Sequence, residues 1–146
     1  MAEFYVSVSN YDIATQVARM INTYNRWYTL FSAQTLIEAQ SNYFVEIVNN
    51  EVVGCASIAK ESDEVSKIQH ICVLPFYRGR GIAKKLTNLT IKHCDTKFVY
   101  MTVREDNIAS IKLALNLGFI QIKKHWFRDH WTLTFGRRKE DARRGL

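Results

Sequence analysis

The sequence predicts a single α/β (α+β) domain in which a mixed sheet of seven strands carries helices on both faces. Strand-like segments alternate with segments of helical spacing, and no Pro/Gly/Ser-rich linker divides the chain. A chain of 146 residues that is 47% hydrophobic is long enough to bury one core. The predicted order is β-α-α-β-β-β-α-β-α-β-β. Strands four and five should be parallel neighbours because a helix connects them.

The N-terminal half contributes three strands and two helices. Asn10 and Ser32 are good N-cap residues and predict where the two helices begin. The segment 49–51, Asn-Asn-Glu, is typical of a hairpin turn between two β-prone runs. The predicted strands lie at residues 4–8, 43–48 and 52–58, and the predicted helices at residues 13–24 and 33–40.

The C-terminal half begins after a polar turn at 61–63. Strand four ends at the chain's only proline, Pro75, and a glycine-rich turn leads into helix three. Asn107 can cap helix four and Gly118 can end it. The predicted strands lie at residues 65–74, 98–103, 119–127 and 131–135, and the predicted helices at residues 82–93 and 108–117.

Composition argues against several protein classes. The three cysteines Cys55, Cys72 and Cys94 are far apart and show neither a disulfide framework nor metal-ligand spacing. No apolar run reaches the roughly 18 residues of a membrane span, and no signal-peptide pattern opens the sequence. We therefore expect a cytoplasmic protein with no metal and no membrane partner.

The formal net charge of +6 favours an anionic partner, either a phosphorylated cofactor, a nucleic acid or an acidic protein surface. Much of the excess lies in residues 137–146. We predict a domain over residues 1–136 and a basic tail over 137–146. A solvated chain end accounts for this tail, and contact with an anionic partner is the alternative.

The junction of strand four and helix three is the most informative segment. Gly79 and Gly81 remove side chains from a turn that opens onto a helix N-terminus, where amides and the helix dipole attract anions. Arg78, Arg80 and Lys84 add positive charge. The turn suits a diphosphate, although a glycine pair beside arginines can also be purely structural.

Two motifs resemble those of the GNAT acetyltransferase superfamily. The first matches its cofactor-binding motif, Arg/Gln-x-x-Gly-x-Gly/Ala, and reads Val73-x-Pro75-x-x-Arg78-Gly79-x-Gly81-Ile82-Ala83. The second is similar to the family's next motif and reads Asn107-x-x-Ser110, then Leu117-Gly118-Phe119. The element order fits the family along essentially the whole chain. The resemblance implies an enzyme that uses acetyl-CoA as co-substrate.

The resemblance also implies roles for individual residues. Strands four and five would splay apart and free backbone groups for the pantetheine arm, and the glycine turn would take the pyrophosphate. An acceptor amine would attack the thioester directly, with a strand-four amide such as that of Val73 at the developing oxyanion. The implied cofactor-binding residues are Ile71, Cys72, Val73, Arg78, Gly79, Arg80, Gly81, Ile82, Ala83, Lys84, Asn107 and Ser110.

The resemblance to the family does not extend to the residues that act as catalytic acid and catalytic base. In many family members a tyrosine stands four residues before the Gly-Phe glycine, where this chain has Ala114. The positions that often hold a base match Lys67, Gln69 and Thr102, and none of these is a carboxylate or a histidine.

Substitutes for the missing groups are Tyr100, if it faces the cleft, and Ser110, which could donate a hydrogen bond to the sulfur. A tyrosine in a central strand is also well explained as a core residue. Strand alternation turns His70 away from Gln69 unless a bulge reverses it, so His70 is interpreted as a surface histidine or one satisfied by a partner.

In the family, acceptor specificity comes from the loop between helices one and two and from the last hairpin. Here these are residues 25–31 and 123–128, and both combine aromatic with basic residues. They form either the rim of the core or a surface that stacks on bases or holds a phosphorylated or acidic acceptor. His125 and His130 could face an acceptor.

Three functions remain open from the sequence. The first is acetyl-CoA-dependent N-acetylation of a primary amine on a protein, peptide or small molecule. The second is modification or binding of RNA or DNA, and the third is binding of acyl-CoA without turnover. An acidic protein, a nucleic acid and a second copy of the chain in a homodimer are the candidate macromolecular partners.

Overall fold

The computed structural model describes residues 2–6, 10–25, 30–39 and 41–140. Sequence predictions that fall on residues 7–9, 26–29, 40 and 141–146 lie outside the described residues. Most of the basic tail and the centre of the first predicted acceptor loop are among them.

In the described residues, seven strands form one mixed sheet, which confirms the predicted fold class. The strands are β1 (Ala2–Val6), β2 (Ser41–Val48), β3 (Glu51–Lys60), β4 (Val65–Val73), β5 (Phe98–Arg104), β6 (Ile120–Phe127) and β7 (His130–Arg138). They are arranged in the order β1-β2-β3-β4-β5-β7-β6. Every neighbouring pair is antiparallel except β4 and β5, which are parallel as predicted.

Within the part of the chain that the structure describes, four α-helices cover the two faces of the sheet. They are α1 (Tyr11–Tyr24), α2 (Ala33–Glu38), α3 (Ile82–Lys92) and α4 (Ile108–Asn116), and a short 3-10 turn spans Pro75–Tyr77. Helices α1 and α2 pack on one face around Tyr43 and Val45, while α3 and α4 pack on the other around Phe44 and Ile68. Adjacent residues of a strand thus enter opposite halves of the core.

The predicted caps and turns are present. The Asn10 side chain accepts hydrogen bonds from the first-turn amides of α1, and Ser32 accepts one from Thr35 N in α2. Asn49 and Asn50 both have positive φ, at 50° and 65°, as a tight hairpin between β2 and β3 requires. Local polar side chains therefore set these boundaries.

The predicted start of the basic tail is too early. β7 continues to Arg138, and Arg137 is buried where its guanidinium donates to the backbone oxygens of Leu117 and Lys139. Lys139 in turn donates to the Cys94 carbonyl. The first basic residues of the segment therefore hold the end of α4 and the α3–β5 loop in place.

The start of α3 lies directly against the backbone of β3. A Cβ atom added to Gly54 would lie 2.8 Å from Ile82 Cγ2 and 3.2 Å from Leu86 Cδ1. Only glycine permits this approach, which places the N-terminus of α3 beside the end of β4. None of the described helices is both long and apolar enough to span a membrane.

Candidate active site

A cleft opens where β4 and β5 separate. The two strands pair only from Val65 opposite Phe98 to Lys67 opposite Tyr100. Beyond that point both strands line a cavity of about 1070 Å³, together with the start of α3, the start of α4 and the β6–β7 hairpin. This geometry is the splay that the family resemblance implied.

A β-bulge in β4 determines which side chains enter the cleft. Ser57 of β3 lies opposite Gln69, whereas Cys55 lies opposite Cys72, so β4 carries one extra residue. His70 lies in the bulge with a φ of 57°.

The bulge brings His70 and Gln69 to the same face of the sheet. Gln69 Nε2 donates to Ser41 Oγ at 3.4 Å, and the His70 ring contacts Tyr43 and Phe31. The expectation from strict alternation, that His70 turns away from Gln69, is therefore wrong. His70 lines the cleft.

Downstream of the bulge, alternate peptide groups of β4 face the cleft. Leu74 N donates to Val53 O of β3 at 2.9 Å, and the peptide group of Cys72, two residues earlier, also points to β3. The peptide groups of Ile71 and Val73 therefore point into the cleft. This corrects the prediction for Cys72, which borders the cleft but uses its peptide group within the sheet.

Two side chains reach the carbonyl groups on this open edge. Asn25 Nδ2 donates to Ile71 O at 3.3 Å, and Arg78 Nε donates to Val73 O at 2.9 Å. The Arg78 guanidinium also lies over the Tyr24 ring. The end of α1 and the glycine turn are thus both attached to the exposed edge of β4.

The glycine turn forms an open cradle at the end of the cleft. Gly79 and Gly81 have φ of 76° and 81°, and a Cβ atom at either position would meet nothing within 4 Å. Gly81 is the N-cap of α3 and has no capping side chain, so first-turn amides face the cleft. Arg78 and Lys84 line the same region. Open space, amides and positive charge together suit a diphosphate.

Two residues of the predicted cofactor set have other roles. Arg80 is not among the described residues that line the cleft. Its guanidinium donates to Phe76 O and lies over the rings of Phe76 and Tyr77, so it braces the 3-10 turn. Ile82 borders the cleft, but its side chain is buried against β3.

The opposite wall of the cleft is the first turn of α4. Asn107 and Ser110 both line it, together with Ala83 across the cleft. Asn107 Oδ1 accepts a hydrogen bond from Ser110 N at 3.1 Å, so Asn107 is also the N-cap of α4. Ala114 is buried and has no proton to give, which leaves Ser110 as the hydroxyl on this wall.

The condition for a catalytic Tyr100, that its side chain faces the cleft, is not met. Tyr100 lies at the last paired position of β5, where β4 and β5 are still joined. Its hydroxyl donates to Glu61 Oε1 at 2.6 Å, and burial together with this carboxylate raises the pKa of Tyr100 to about 12. Its proton is held outside the cleft.

His70 is the titratable group that sequence reasoning passed over. Its Nδ1 lies 2.5 Å from the Tyr43 hydroxyl, and its side chain is buried. Burial, and then the positive charge of Lys67, lower the pKa of His70 to about 4. The ring is therefore neutral over the physiological range. The sequence held one indication that His70 could enter the cleft, namely that a β-bulge in strand four would turn its side chain to the other face of the sheet.

This pKa predicts that stability depends on pH. Because the pKa of His70 is lowered in the folded state, the unfolded chain binds more protons between pH 6.5 and pH 4. The contribution of the neutral His70 ring to the free energy of unfolding is fully present above pH 6.5. It is lost as pH falls towards 4, and the whole loss is roughly 3 kcal/mol. Urea unfolding at pH 7 and pH 4.5 should show a larger loss for the wild type than for His70→Gln. Equal losses would contradict the prediction.

The far end of the cleft is formed by the end of β5 and the β6–β7 hairpin. His125 and His130, which the sequence proposed as acceptor-facing, both line the cleft. Trp126 instead packs edge-to-face on Trp131, and neither is among the described cleft-lining residues. Residues 26–29 of the other predicted acceptor segment are not described.

Comparisons with known proteins agree with this architecture. The model of the Acetyltransferase (GNAT) family matches residues 10–119. A mycothiol acetyltransferase of Corynebacterium efficiens is 29% identical over 52% of this chain and 27% of its own length. An uncharacterized N-acetyltransferase of Methanocaldococcus jannaschii is 32% identical over 70% of this chain and 49% of its own length. This chain therefore spans half or less of these curated relatives.

Solved structures share the fold at low sequence identity. A Streptococcus mutans protein has a TM-score of 0.83 at 16% identity, covering 95% of this chain and 99% of its own. The yncA protein of Salmonella typhimurium, solved with its cofactor acetyl-CoA, has a TM-score of 0.76 at 17% identity, covering 94% and 93%. The matches favour the acetyltransferase interpretation over the nucleic-acid alternative. Since the family model covers most of the sequence, the chain belongs to the GNAT acetyltransferase family.

Proposed function

We propose that this protein transfers an acetyl group from acetyl-CoA to a primary amine of a protein, peptide or small molecule. The observation that carries the proposal is one continuous cleft of about 1070 Å³, which joins an anion-binding glycine turn to an open strand edge and a buried histidine. Family membership supports acetyl-CoA as the co-substrate, because it is the cofactor in the Salmonella structure.

The residues present fit such a molecule. The amides at Gly79 and Gly81, with Arg78 and Lys84, would hold the diphosphate. The peptide groups of Ile71 and Val73 would pair with the pantetheine arm, and Asn107 and Ser110 would line its other side. When bound, acetyl-CoA supplies an acetyl group activated as a thioester.

The cleft-facing peptide groups of β4 have both a binding and an electrostatic function in this proposal. The carbonyl oxygens of Ile71 and Val73 already accept from Asn25 and Arg78, and each has a second lone pair. Their N–H groups point into the cleft as rigid donors. Such donors stabilise negative charge on an acyl oxygen without having to reorganise.

We assign proton acceptance to His70 because it lines the cleft as a neutral imidazole beside the open edge of β4. The His70 Nδ1 atom lies 2.5 Å from the Tyr43 hydroxyl, and the imidazole tautomer decides which of the two donates. Burial raises the pKa of Tyr43, which keeps this hydroxyl protonated.

A neutral imidazole has one unprotonated nitrogen, and that nitrogen can accept a proton. Although its pKa is low, His70 can take the proton because the amine nitrogen becomes far more acidic as it is acylated. A group of low pKa also remains deprotonated while an ammonium ion approaches. His70 therefore supplies the base that positions 67, 69 and 102 lack.

Calorimetry and a thiol-release assay test the proposal. Acetyl-CoA should bind at least about tenfold more tightly than S-acetylpantetheine, which lacks the diphosphate that the turn would hold. Purified protein with acetyl-CoA and a panel of primary amines should then release free thiol. An absence of acetyl-CoA binding would refute the proposal. Binding without thiol release on any amine would identify an acyl-CoA-binding module instead.

A further inference from the structure

The part of the cleft formed by the end of β5 and the β6–β7 hairpin contains basic side chains. Arg104 and Arg128 line it, and Asp106 is the only acidic residue among the described cleft-lining residues. Arg104 Nε lies 3.6 Å from Asp106 Oδ1, which is beyond hydrogen-bonding distance. A simple cationic amine would gain nothing from such an environment.

Three polar side chains of this end form a row across the sheet. Arg104 of β5 and His125 of β6 both lie opposite Thr132 of β7. Directly opposed residues of antiparallel strands share a face, so all three side chains project from one side, at the strand spacing of about 4.8 Å. Each of them lines the cleft.

Two of these residues have buried nitrogen atoms whose hydrogen-bonding capacity is unused. Among the described residues, three buried side-chain polar atoms have no hydrogen-bond partner, and they are Glu46 Oε2, Arg104 Nε and His125 Nδ1. Two of the three therefore belong to the row at this end of the cleft. Leaving a buried polar atom unsatisfied costs about 1–3 kcal/mol, so a ligand that reaches either nitrogen and hydrogen-bonds to it would recover part of that energy.

The rest of the Arg104 guanidinium lies beside the β6–β7 hairpin. Nη1 lies 3.1 Å from His130 Nδ1, and the same His130 nitrogen lies 2.9 Å from Asp129 Oδ1, so Nδ1 hydrogen-bonds to only one of the two at a time. The planar guanidinium presents a fork of donors that matches the oxygens of a carboxylate or a phosphate.

We propose that the row of Arg104, Thr132 and His125 binds an oxyanion on the acceptor, so that the substrates are amines that also carry a carboxylate or a phosphate. The inference rests on the proposed acetyl transfer and specifies its substrate class. The oxyanion would lie on the β5–β7–β6 side while the amine lies at the β4 bulge beside His70. The two ends of the cleft would then recognise two different anions, one on each substrate.

Matched acceptor pairs test this proposal by steady-state kinetics. Phosphoethanolamine is compared with ethanolamine, and β-alanine with β-alaninamide, so that the two arms separate phosphate from carboxylate. The anionic member of at least one pair should have a kcat/KM about tenfold to a hundredfold higher, the value of a charged hydrogen bond. The ratio of kcat/KM for the anionic acceptor to kcat/KM for its neutral counterpart should fall to within about threefold of unity in Arg104→Gln. The Kd for acetyl-CoA should stay unchanged.

Arg19→Gln removes the same charge from an exposed position on α1, outside the cleft, and should leave the ratio unchanged. Arg104→Lys retains the charge but loses the planar donor set, so it should recover only part of the ratio. Melting curves establish that each variant is folded.

Three results would overturn the proposal. One is an equal kcat/KM for the two members of both pairs. Another is a rise in the Kd for acetyl-CoA in Arg104→Gln, which would assign the row to a cofactor phosphate.

If no amine is turned over, binding of phosphoethanolamine and β-alanine to the CoA-loaded protein is measured by calorimetry. Binding that Arg104→Gln weakens about tenfold would support the site, and absence of binding would refute it. Failure of acetyl transfer is thus distinguished from failure of this inference.

Discussion

Replacing His70 by glutamine should lower kcat by about 10²-fold to 10⁴-fold, the usual contribution of a positioned acid or base. Glutamine keeps a polar side chain in the bulge but cannot take up a proton. Acetyl-CoA affinity should change by less than about threefold, because the diphosphate and pantetheine contacts that we propose do not involve the imidazole. Stopped-flow or steady-state thiol release measures the first quantity, and calorimetry the second.

The pH profile distinguishes proton transfer from a structural role. Since the pKa of His70 is lowered to about 4, the neutral ring is present above that pH, and kcat/KM should fall as pH drops through it. This acid limb should be absent from the residual activity of His70→Gln. Tyr43→Phe, which removes the hydrogen bond to Nδ1, should retain more activity than His70→Gln.

A matched histidine provides the control. His93 lies at the end of α3, is exposed, and its Nδ1 contacts Leu89 O outside the cleft. His93→Gln should therefore leave kcat unchanged. If His70→Gln retains kcat to within about threefold, His70 does not accept the proton and water becomes the better candidate.

Replacing Gly81 by alanine should weaken acetyl-CoA binding by about a hundredfold, or roughly 2.7 kcal/mol. The φ of 81° is unfavourable for alanine, and the added methyl group would project into the open cradle. Isothermal titration calorimetry measures the loss. Gly81→Asn should also bind poorly despite being less strained, because asparagine tolerates positive φ but still fills the cradle.

Gly118 separates backbone strain from cofactor binding. Its φ of 82° is nearly the same as that of Gly81, but it ends α4 and is not among the described residues that line the cleft. Gly118→Ala should therefore lose stability to a similar extent while its Kd for acetyl-CoA stays near the wild-type value. Equal binding losses in the two variants would show that strain alone, and not the cradle, explains the Gly81 result.

The parts of the candidate site that could be predicted from the sequence are those whose conformation depends on residues close together in the chain. The glycine turn could be recognised because Pro75, Gly79 and Gly81 lie within seven residues and encode their own backbone conformation. The caps at Asn107 and Asn10 follow the same logic. The position of Tyr100 stayed open because alternation gives a side chain's face but does not tell where two parallel strands cease to pair.

The amino-acid sequence by itself determined the order of strands and helices and the glycine turn, because these depend on neighbours within a few residues, and it determined the parallel β4–β5 pair through the helix that connects the two strands. Only the tertiary structure decided that His70 enters the cleft and that Arg104, Thr132 and His125 form one row. The first depends on the register between β3 and β4, and the second on the register of three strands. Registers depend on backbone pairing between residues far apart in the chain, and no local pattern encodes them.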